Sequence, residues 1–170
     1  MSRKSKTILI AVMCICGCAM HFVLDIITNE TAQNILGVIF PVNETSWEHM
    51  KMIWYPFLAG GIVSAVRYGK IEYVSGFVVT GFIAMLIQLG IFSFYQSFSG
   101  SSILILDIVF YTLDMIFCAL QGLMLAERKW AEKTAALWIV MAVFITAGII
   151  YLTYCPGEGY VFMDNAKLAG

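Results

Sequence analysis

Apolar residues form long continuous runs along this chain, separated by short polar segments. Five runs lie at about residues 7–28, 50–67, 73–95, 102–125 and 134–154. Each is close to the roughly 20 residues that an α-helix needs to cross a hydrocarbon layer about 30 Å thick. The pattern therefore predicts an all-α polytopic membrane protein, built as a single bundle of about five transmembrane helices over residues 1–170.

The first run follows the basic stretch SRKSK and so resembles a signal peptide. Its apolar residues continue to Ile27 without a convincing small-x-small cleavage site, which favours a membrane helix. Residues 29–49 are expected to form an outer loop, and residues 155–170 an outer tail. Within the loop, QNILGVIFP is too short to span and is expected to lie at the membrane interface or to dip back in.

Composition supports the membrane assignment and excludes one class of partner. The chain is 61% hydrophobic and 12% charged, with a mean hydropathy of +0.86, whereas a soluble domain is about half apolar and a quarter charged. The lipid bilayer is therefore the expected partner. A net charge of −1 and a pI near 6.1 argue against nucleic acid, which a basic surface would bind. Most of the five cysteines lie inside apolar runs, so no disulfide framework is expected.

Basic residues fall on alternate loops, which predicts the orientation of the chain. Loops rich in Lys and Arg stay in the cytoplasm. With five spans, the N-terminus lies inside, the C-terminus lies outside, and the loop 29–49 is external. Eight of the ten basic residues follow this pattern: Arg3, Lys4, Lys6, Arg67, Lys70, Arg128, Lys129 and Lys133.

Four ionisable residues interrupt the apolar runs: His21, Asp25, Asp107 and Asp114. A charge at the bilayer centre costs about 2.5–3.5 kcal/mol on insertion scales, so such residues usually face the bundle interior. His21 and Asp25 share a helix face at the spacing i, i+4. Asp107 lies only about 8 Å below the outer surface at 1.5 Å per residue, while Asp114 is nearer the middle. His21, Asp25 and Asp107 are therefore predicted to lie at similar depth.

The loop segment PVNETSWEHMK, residues 41–51, is predicted to hang directly above these groups. Histidine and carboxylate side chains suit zinc and other divalent ions, and they equally suit a relay for protons or cations. We predict His21, Glu44 and His49 as metal ligands, Glu48 and Asp107 as catalytic residues, and Asp25, Asn43, Lys51 and Asp114 as further polar residues of one outward-facing pocket.

Several of these residues also have purely structural interpretations. TSWE fits the capping box S/T-x-x-E, in which Thr45 caps the second helix and Glu48 returns a hydrogen bond. Asn43 is an alternative cap. His49 and Lys51 are also compatible with the headgroup level of the membrane. Pro56 should kink the second helix and free the carbonyl near Met52.

The loop motif resembles that of a family of small bacterial membrane proteins, domain of unknown function 6512. Residues 41–51 and Pro56 match its Pro-Val-Asn-Glu-Ser/Thr-x-Trp-Glu-His-x-Lys run ending in proline, supported by HF in the first helix, LILDIVFY in the fourth and Gln121. The tail YCPGEGYVFMDNAKLAG is similar to the family's ending but departs from its Asp-Pro and Tyr-Gly elements. The resemblance covers nearly the whole chain. It implies a multi-pass protein of the bacterial plasma membrane with the same five helices, and no activity.

Two classes of function fit these observations, beside a structural or partner-binding role. In a metal-dependent membrane hydrolase, metal-bound water would attack a lipid or peptide at the outer leaflet, although the chain contains no HExxH motif. In a transporter or ligand-binding protein, the carboxylates would bind a proton, cation or amine, and a homo-oligomer would enclose the path. The sequence does not choose between the two classes.

Overall fold

A computed structural model of the protein describes residues 1–27, 29–100 and 103–162. The described chain is all-α, as predicted. Its helices are α1 (Arg3–Ile26), α2 (Glu30–Leu36), α3 (Ser46–His49), α4 (Lys51–Tyr68), α5 (Glu72–Ser99), α6 (Leu104–Leu125), α7 (Lys129–Lys133) and α8 (Ala135–Tyr154), followed by a 3-10 turn at Tyr160–Phe162.

Four helices of the described chain are long and apolar enough to cross a membrane: Arg3–Leu24, Glu72–Ser99, Leu104–Leu125 and Ala135–Tyr154. This finding confirms the prediction of an all-α protein whose long helices are able to span a membrane, with four such helices where about five were predicted. The fifth long helix, α4, is not among the four. Its 18 residues include Lys51, Pro56 and Arg67, and its side chains form much of the core.

Polar side chains and glycines set the ends of several helices. Ser2 Oγ accepts a hydrogen bond from Ser5 N at 3.1 Å and caps α1, and Asn29 caps α2 through Ala32 N at 2.9 Å. At the other ends, α4 stops at Gly69 and α5 at Gly100, with φ of +63° and +72°. Only glycine adopts such left-handed geometry without strain, so both glycines make the following turns possible.

Helix α4 packs between α1 and α5 because two adjacent glycines remove the side chains at the crossings. A Cβ on Gly60 would lie 2.8 Å from Met13 Sδ on α1, and one on Gly61 would lie 3.0 Å from Phe77 Cβ on α5. Both distances are shorter than van der Waals contact. Around this crossing, Trp54, Phe57 and Phe77 are fully buried, and the core of the bundle therefore lies along α4 and α5.

Pro56 leaves the carbonyl of Met52 without its helical partner, as the sequence predicts. It cannot donate to the carbonyl of Met52, and the hydroxyl of Tyr111 on α6 donates to that carbonyl instead, at 3.1 Å. A Cβ on Gly17 of α1 would collide with both the Tyr111 hydroxyl and the Met52 carbonyl. One freed carbonyl thus brings together α1, α4 and α6.

The two ends of the bundle differ in composition. At the α7 end, Lys6 at the start of α1 pairs with Glu127 at 3.1 Å, and the predicted set of eight basic residues lies in or beside the helix termini and turns. At the other end, the α2/α3 end, residues 29–50 fold over the bundle and the chain after α8 returns to them. The ring of Phe162 packs on Trp47 with centroids 5.7 Å apart. Residues 163–170 of the predicted tail lie outside the described residues.

Candidate metal centre

Two histidines and one glutamate meet at the α2/α3 end of the bundle. His21 lies near the end of α1, Glu44 lies in the loop before α3, and His49 ends α3. Glu44 Oε2 lies 3.4 Å from His21 Nε2 and 3.6 Å from His49 Nε2. One potential ligand atom from each of the three residues lies within 4.8 Å of the others. We call this group the His–Glu–His cluster.

The spacing within the cluster fits a shared metal better than hydrogen bonds. An N–H···O hydrogen bond spans about 2.7–3.2 Å, and both nitrogen–oxygen distances are longer, at 3.4 and 3.6 Å. Ligand atoms bound about 2.0–2.2 Å from a tetrahedral zinc ion lie roughly 3.4 Å apart. The donor set and the two glutamate–histidine distances therefore fit Zn²⁺ or a similar divalent ion, and the ligand atoms of the two histidines lie within 4.8 Å of each other.

Thr45 positions His49 in a suitable tautomer. The hydroxyl of Thr45 accepts a hydrogen bond from the amide of Glu48 at 3.2 Å and caps the short helix α3 rather than the second long helix. The other half of the predicted capping box is not formed, because the carboxylate of Glu48 binds Lys51, Val42 N and Thr153 instead. The carbonyl oxygen of Thr45 lies 2.8 Å from His49 Nδ1. Since a carbonyl can only accept, Nδ1 carries a proton, and in the neutral imidazole the lone pair is then on Nε2, the nitrogen nearer Glu44. Asn43 supports this turn by accepting from Thr45 N at 3.1 Å.

A cavity of about 250 Å³ opens beside the cluster. It lies between the end of α1, helix α2 and the loop before α3, and its lining includes His21, Gln33, Asn34, Asn43 and Glu44. Three protein ligands would leave a position on a tetrahedral ion open, as catalytic zinc sites do. The arrangement therefore gives water and a small chemical group access to the cluster.

Asp107 lies beside the cluster without supplying one of its three ligand atoms. Its carboxylate accepts a hydrogen bond from the hydroxyl of Tyr95, and it interacts electrostatically with His49 and Glu44. Phe92 packs near both partners, with its ring 6.3 Å from that of His49 and 6.1 Å from that of Tyr95. The α5–α6 pair thus brings a carboxylate to the side of the cluster that faces the bundle.

Glu48 has different surroundings from those expected of a catalytic residue. Its carboxylate is buried, and Glu48 Oε2 lies 2.6 Å from Lys51 Nζ. Oε2 also accepts from Val42 N at 2.9 Å, while Oε1 accepts from Thr153 Oγ1 at 3.1 Å. The ammonium of Lys51 donates in turn to the carbonyl of Gly37 at 2.6 Å. We call Glu48 and Lys51 the buried ion pair; it fastens the loop 37–42 to α4 and α8.

Asp114, another of the predicted pocket residues, lies apart from the His–Glu–His cluster. Asp114 is buried deep in α6, where its Oδ1 accepts the thiol of Cys118 at 3.3 Å. The side chain of Asp25 lies outside the part of the chain that the structure describes. The described residues that were predicted to form one pocket thus lie in three separate places: the cluster with Asn43 and Asp107, the buried ion pair, and Asp114.

Sequence reasoning missed some residues that support the cluster. The capping signal identified Thr45, but not the use of its carbonyl by His49. Tyr95 and Phe92 lie in the aromatic stretch IFSFY, where nothing distinguishes them from lipid-facing aromatic residues. Thr153 is separated from Glu48 by 105 positions, so only the packing of α8 reveals that contact.

Together the helices and the cluster define an all-α protein with helices long and apolar enough to span a membrane and a metal-type donor set at one end of its bundle. The chain belongs to the DUF6512 family, a family of unknown function, which matches residues 1–169. This match confirms the resemblance seen in the sequence. No curated protein and no solved structure matches the chain.

Proposed function

We propose that this protein is a zinc-dependent hydrolase of the cell membrane, whose metal centre faces the outer side. The observation that carries the proposal is the His–Glu–His cluster, with nitrogen–oxygen distances of 3.4 and 3.6 Å next to an open cavity. A divalent ion held there would act as a Lewis acid and activate water. The cavity of about 250 Å³ favours a small reacting group, such as the ester or amide of a lipid or peptide at the outer leaflet.

The proposed topology has five spans, with α4 as the fifth. The α4 helix runs the full distance between the two ends of the bundle, from His49 and Lys51 to the turn at Gly69. Basic residues gather at the α7 end, which supports a cytoplasmic location for that end. A reporter fused after Gly170 should read as external and one fused after Lys133 as cytoplasmic. A cytoplasmic C-terminus would contradict this topology.

Asp107 is the proposed general base. It lies beside His49 and Glu44 and is oriented by the hydroxyl of Tyr95, so it can take a proton from a water near the cluster. Glu48 is less suited to that task, since its two oxygens are already bound to Lys51, Val42 and Thr153. Its proposed role is to hold the loop that carries Glu44.

Metal analysis of the full-length protein purified in detergent tests the centre. We expect zinc in the wild-type protein, loss of zinc in His49→Ala and His21→Ala, and retained zinc in Asp107→Asn. Metal-dependent hydrolysis of lipid and peptide esters or amides should then be lost in Asp107→Asn. Absence of zinc from the wild type, together with no chelator effect and no zinc uptake on titration, would overturn the proposal.

A cation-linked transporter is the second candidate function. It is favoured by one observation, the two carboxylates of Asp107 and Asp114 on the same helix α6 with Asp114 buried in the bundle. Reconstituted vesicles distinguish the candidates. Movement of a cation across the membrane that Asp107→Asn abolishes would favour transport, whereas hydrolysis without such movement would favour the enzyme.

A further inference from the structure

The contacts between α5 and α6 establish how the two antiparallel helices are aligned. Near one end of the pair, the hydroxyl of Tyr95 donates to Asp107. Near the other end, a Cβ on Gly122 would lie 2.7 Å from Thr80 Oγ1. Fifteen residues separate Tyr95 from Thr80 and likewise Asp107 from Gly122, so the alignment holds along the whole pair.

This alignment places Gln88 of α5 level with Asp114 of α6. Both lie seven residues from the Tyr95–Asp107 contact, toward the α7 end. Seven residues make about two helical turns, so the side chains at both positions return to nearly the same face of their helices. Gln88 and Asp114 therefore occupy the same seam as Tyr95 and Asp107, about 10 Å deeper in the bundle.

Both side chains are buried with polar atoms that have no partner among the described residues. Gln88 is 1% exposed, and neither its Nε2 nor its Oε1 makes a hydrogen bond there. Asp114 is 6% exposed, and its Oδ2 is likewise unpaired. Buried polar groups in folded proteins are nearly always satisfied by protein, water or an ion. Two buried residues at the same level of the α5–α6 seam, with three unpaired atoms between them, thus indicate a binding site.

We propose that Gln88 and Asp114 form a buried site for one monovalent cation, a proton or a sodium ion, held between Asp114 Oδ2 and Gln88 Oε1. Both atoms are acceptors, and the carboxylate adds a negative charge that no described ion pair neutralises. A single bound positive charge would neutralise the carboxylate and give both acceptor oxygens a partner. One carboxylate and one amide oxygen balance a single charge, which favours a monovalent over a divalent ion.

The site does not rest on the proposed zinc centre, because it lies about two helical turns deeper along α6 than Asp107. The titratable groups around it are phenols and thiols, which are uncharged near neutral pH. Among the described residues these are Tyr111 and Cys118 on α6 itself and, from α1, Cys14, Cys16 and Cys18 around Tyr111.

Thermal unfolding of the full-length protein in detergent tests the site, with chelator present so that the His–Glu–His cluster holds no metal. The probes are sodium, potassium and choline chloride, each over a series of pH values. A bound cation stabilises the folded state. A sodium site predicts a higher Tm in sodium than in choline chloride; a proton site predicts a Tm that falls as pH rises in all three salts.

The dependence of Tm on sodium or on pH should disappear in Asp114→Asn, whose amide carries no charge. It should weaken in Gln88→Leu. Thr80→Val is the matched control: it removes another buried polar group from α5 and should keep the dependence. A dependence that survives in Asp114→Asn would overturn the proposal.

If Asp114→Asn does not fold, the wild-type protein still decides the question. Infrared difference spectra should then show a protonated carboxyl band that disappears on adding sodium or on raising the pH. The proposal would also be overturned by a wild type that shows neither this band nor any effect of sodium on Tm. A missing zinc centre would leave both measurements unchanged, so the two proposals fail separately.

Discussion

Glu44 and Glu48 lie four residues apart in the same segment, yet their carboxylates have opposite surroundings. The Glu44 side chain is 54% exposed and faces two imidazoles. The Glu48 side chain is 3% exposed and faces the fully buried ammonium of Lys51. The difference arises at Thr45, which caps α3: Glu44 precedes the helix, whereas Glu48 lies in its first turn and its carboxylate binds Lys51, Val42 N and Thr153.

The comparison separates two uses of a carboxylate. Glu48 is neutralised by Lys51 and has hydrogen bonds to both oxygens, so it contributes to structure and is closed to substrate. Glu44 has no cation beside it among the described residues, only imidazoles that are available as ligands. One short segment therefore contains both a structural anchor and a metal-type ligand.

The largest expected effect comes from breaking the buried ion pair. Lys51→Met leaves the buried carboxylate of Glu48 without its cation, and such a change costs about 3–5 kcal/mol of unfolding free energy. The unfolding free energy in detergent measures this. Lys6→Met is the matched control, because it breaks the exposed pair with Glu127 and should cost only about 0–1 kcal/mol. Equal effects in the two variants would contradict the structural role of the pair.

The next effect concerns the two glutamates directly. Glu44→Gln should weaken zinc binding by more than about 100-fold, because it removes a ligand rather than an outer partner, and should leave the unfolding free energy of the metal-free protein nearly unchanged. Glu48→Gln should lower that free energy while zinc still binds. Isothermal titration with zinc and thermal unfolding separate the two outcomes. The comparison fails if folded Glu48→Gln loses zinc as completely as Glu44→Gln.

Acid should weaken zinc binding by a smaller, graded amount. Protons compete with the ion for the imidazoles of His21 and His49, so affinity should fall by up to about tenfold per pH unit for each histidine that becomes protonated. Titration at several pH values measures the slope. If zinc affinity is independent of pH below neutrality, the imidazoles are not its ligands.

The smallest effect is expected at Thr45, on which both glutamates depend. Thr45→Ala removes the cap of α3 and should cost about 1 kcal/mol, with a modest loss of zinc affinity as Glu44 and His49 become less ordered. Thr45→Ser keeps the hydroxyl and should behave as the wild type. A wild-type unfolding free energy in Thr45→Ala would show that other contacts hold α3 in place.

The pattern of apolar runs determines much of this protein. It predicts the all-α architecture and the membrane-capable helices, since runs of this length can bury their backbone polar groups only as helix. The constant rise of a helix also determines depth, which is why His21 could be grouped with Glu44 and His49 before any contact was known. The short helices α2, α3 and α7 were not foreseen, because their turns are too brief to show a period.

Only the tertiary structure decides which residues at one depth face each other. Glu48 and His49 are neighbours in sequence, but Glu48 points to Lys51 and Thr153 while His49 points to Glu44. Gln88 and Asp114 come level only because α5 and α6 align along their whole seam. The physical reason is that sequence periodicity describes position along a helix, whereas rotation about the axis and the choice of neighbour depend on close packing with other helices.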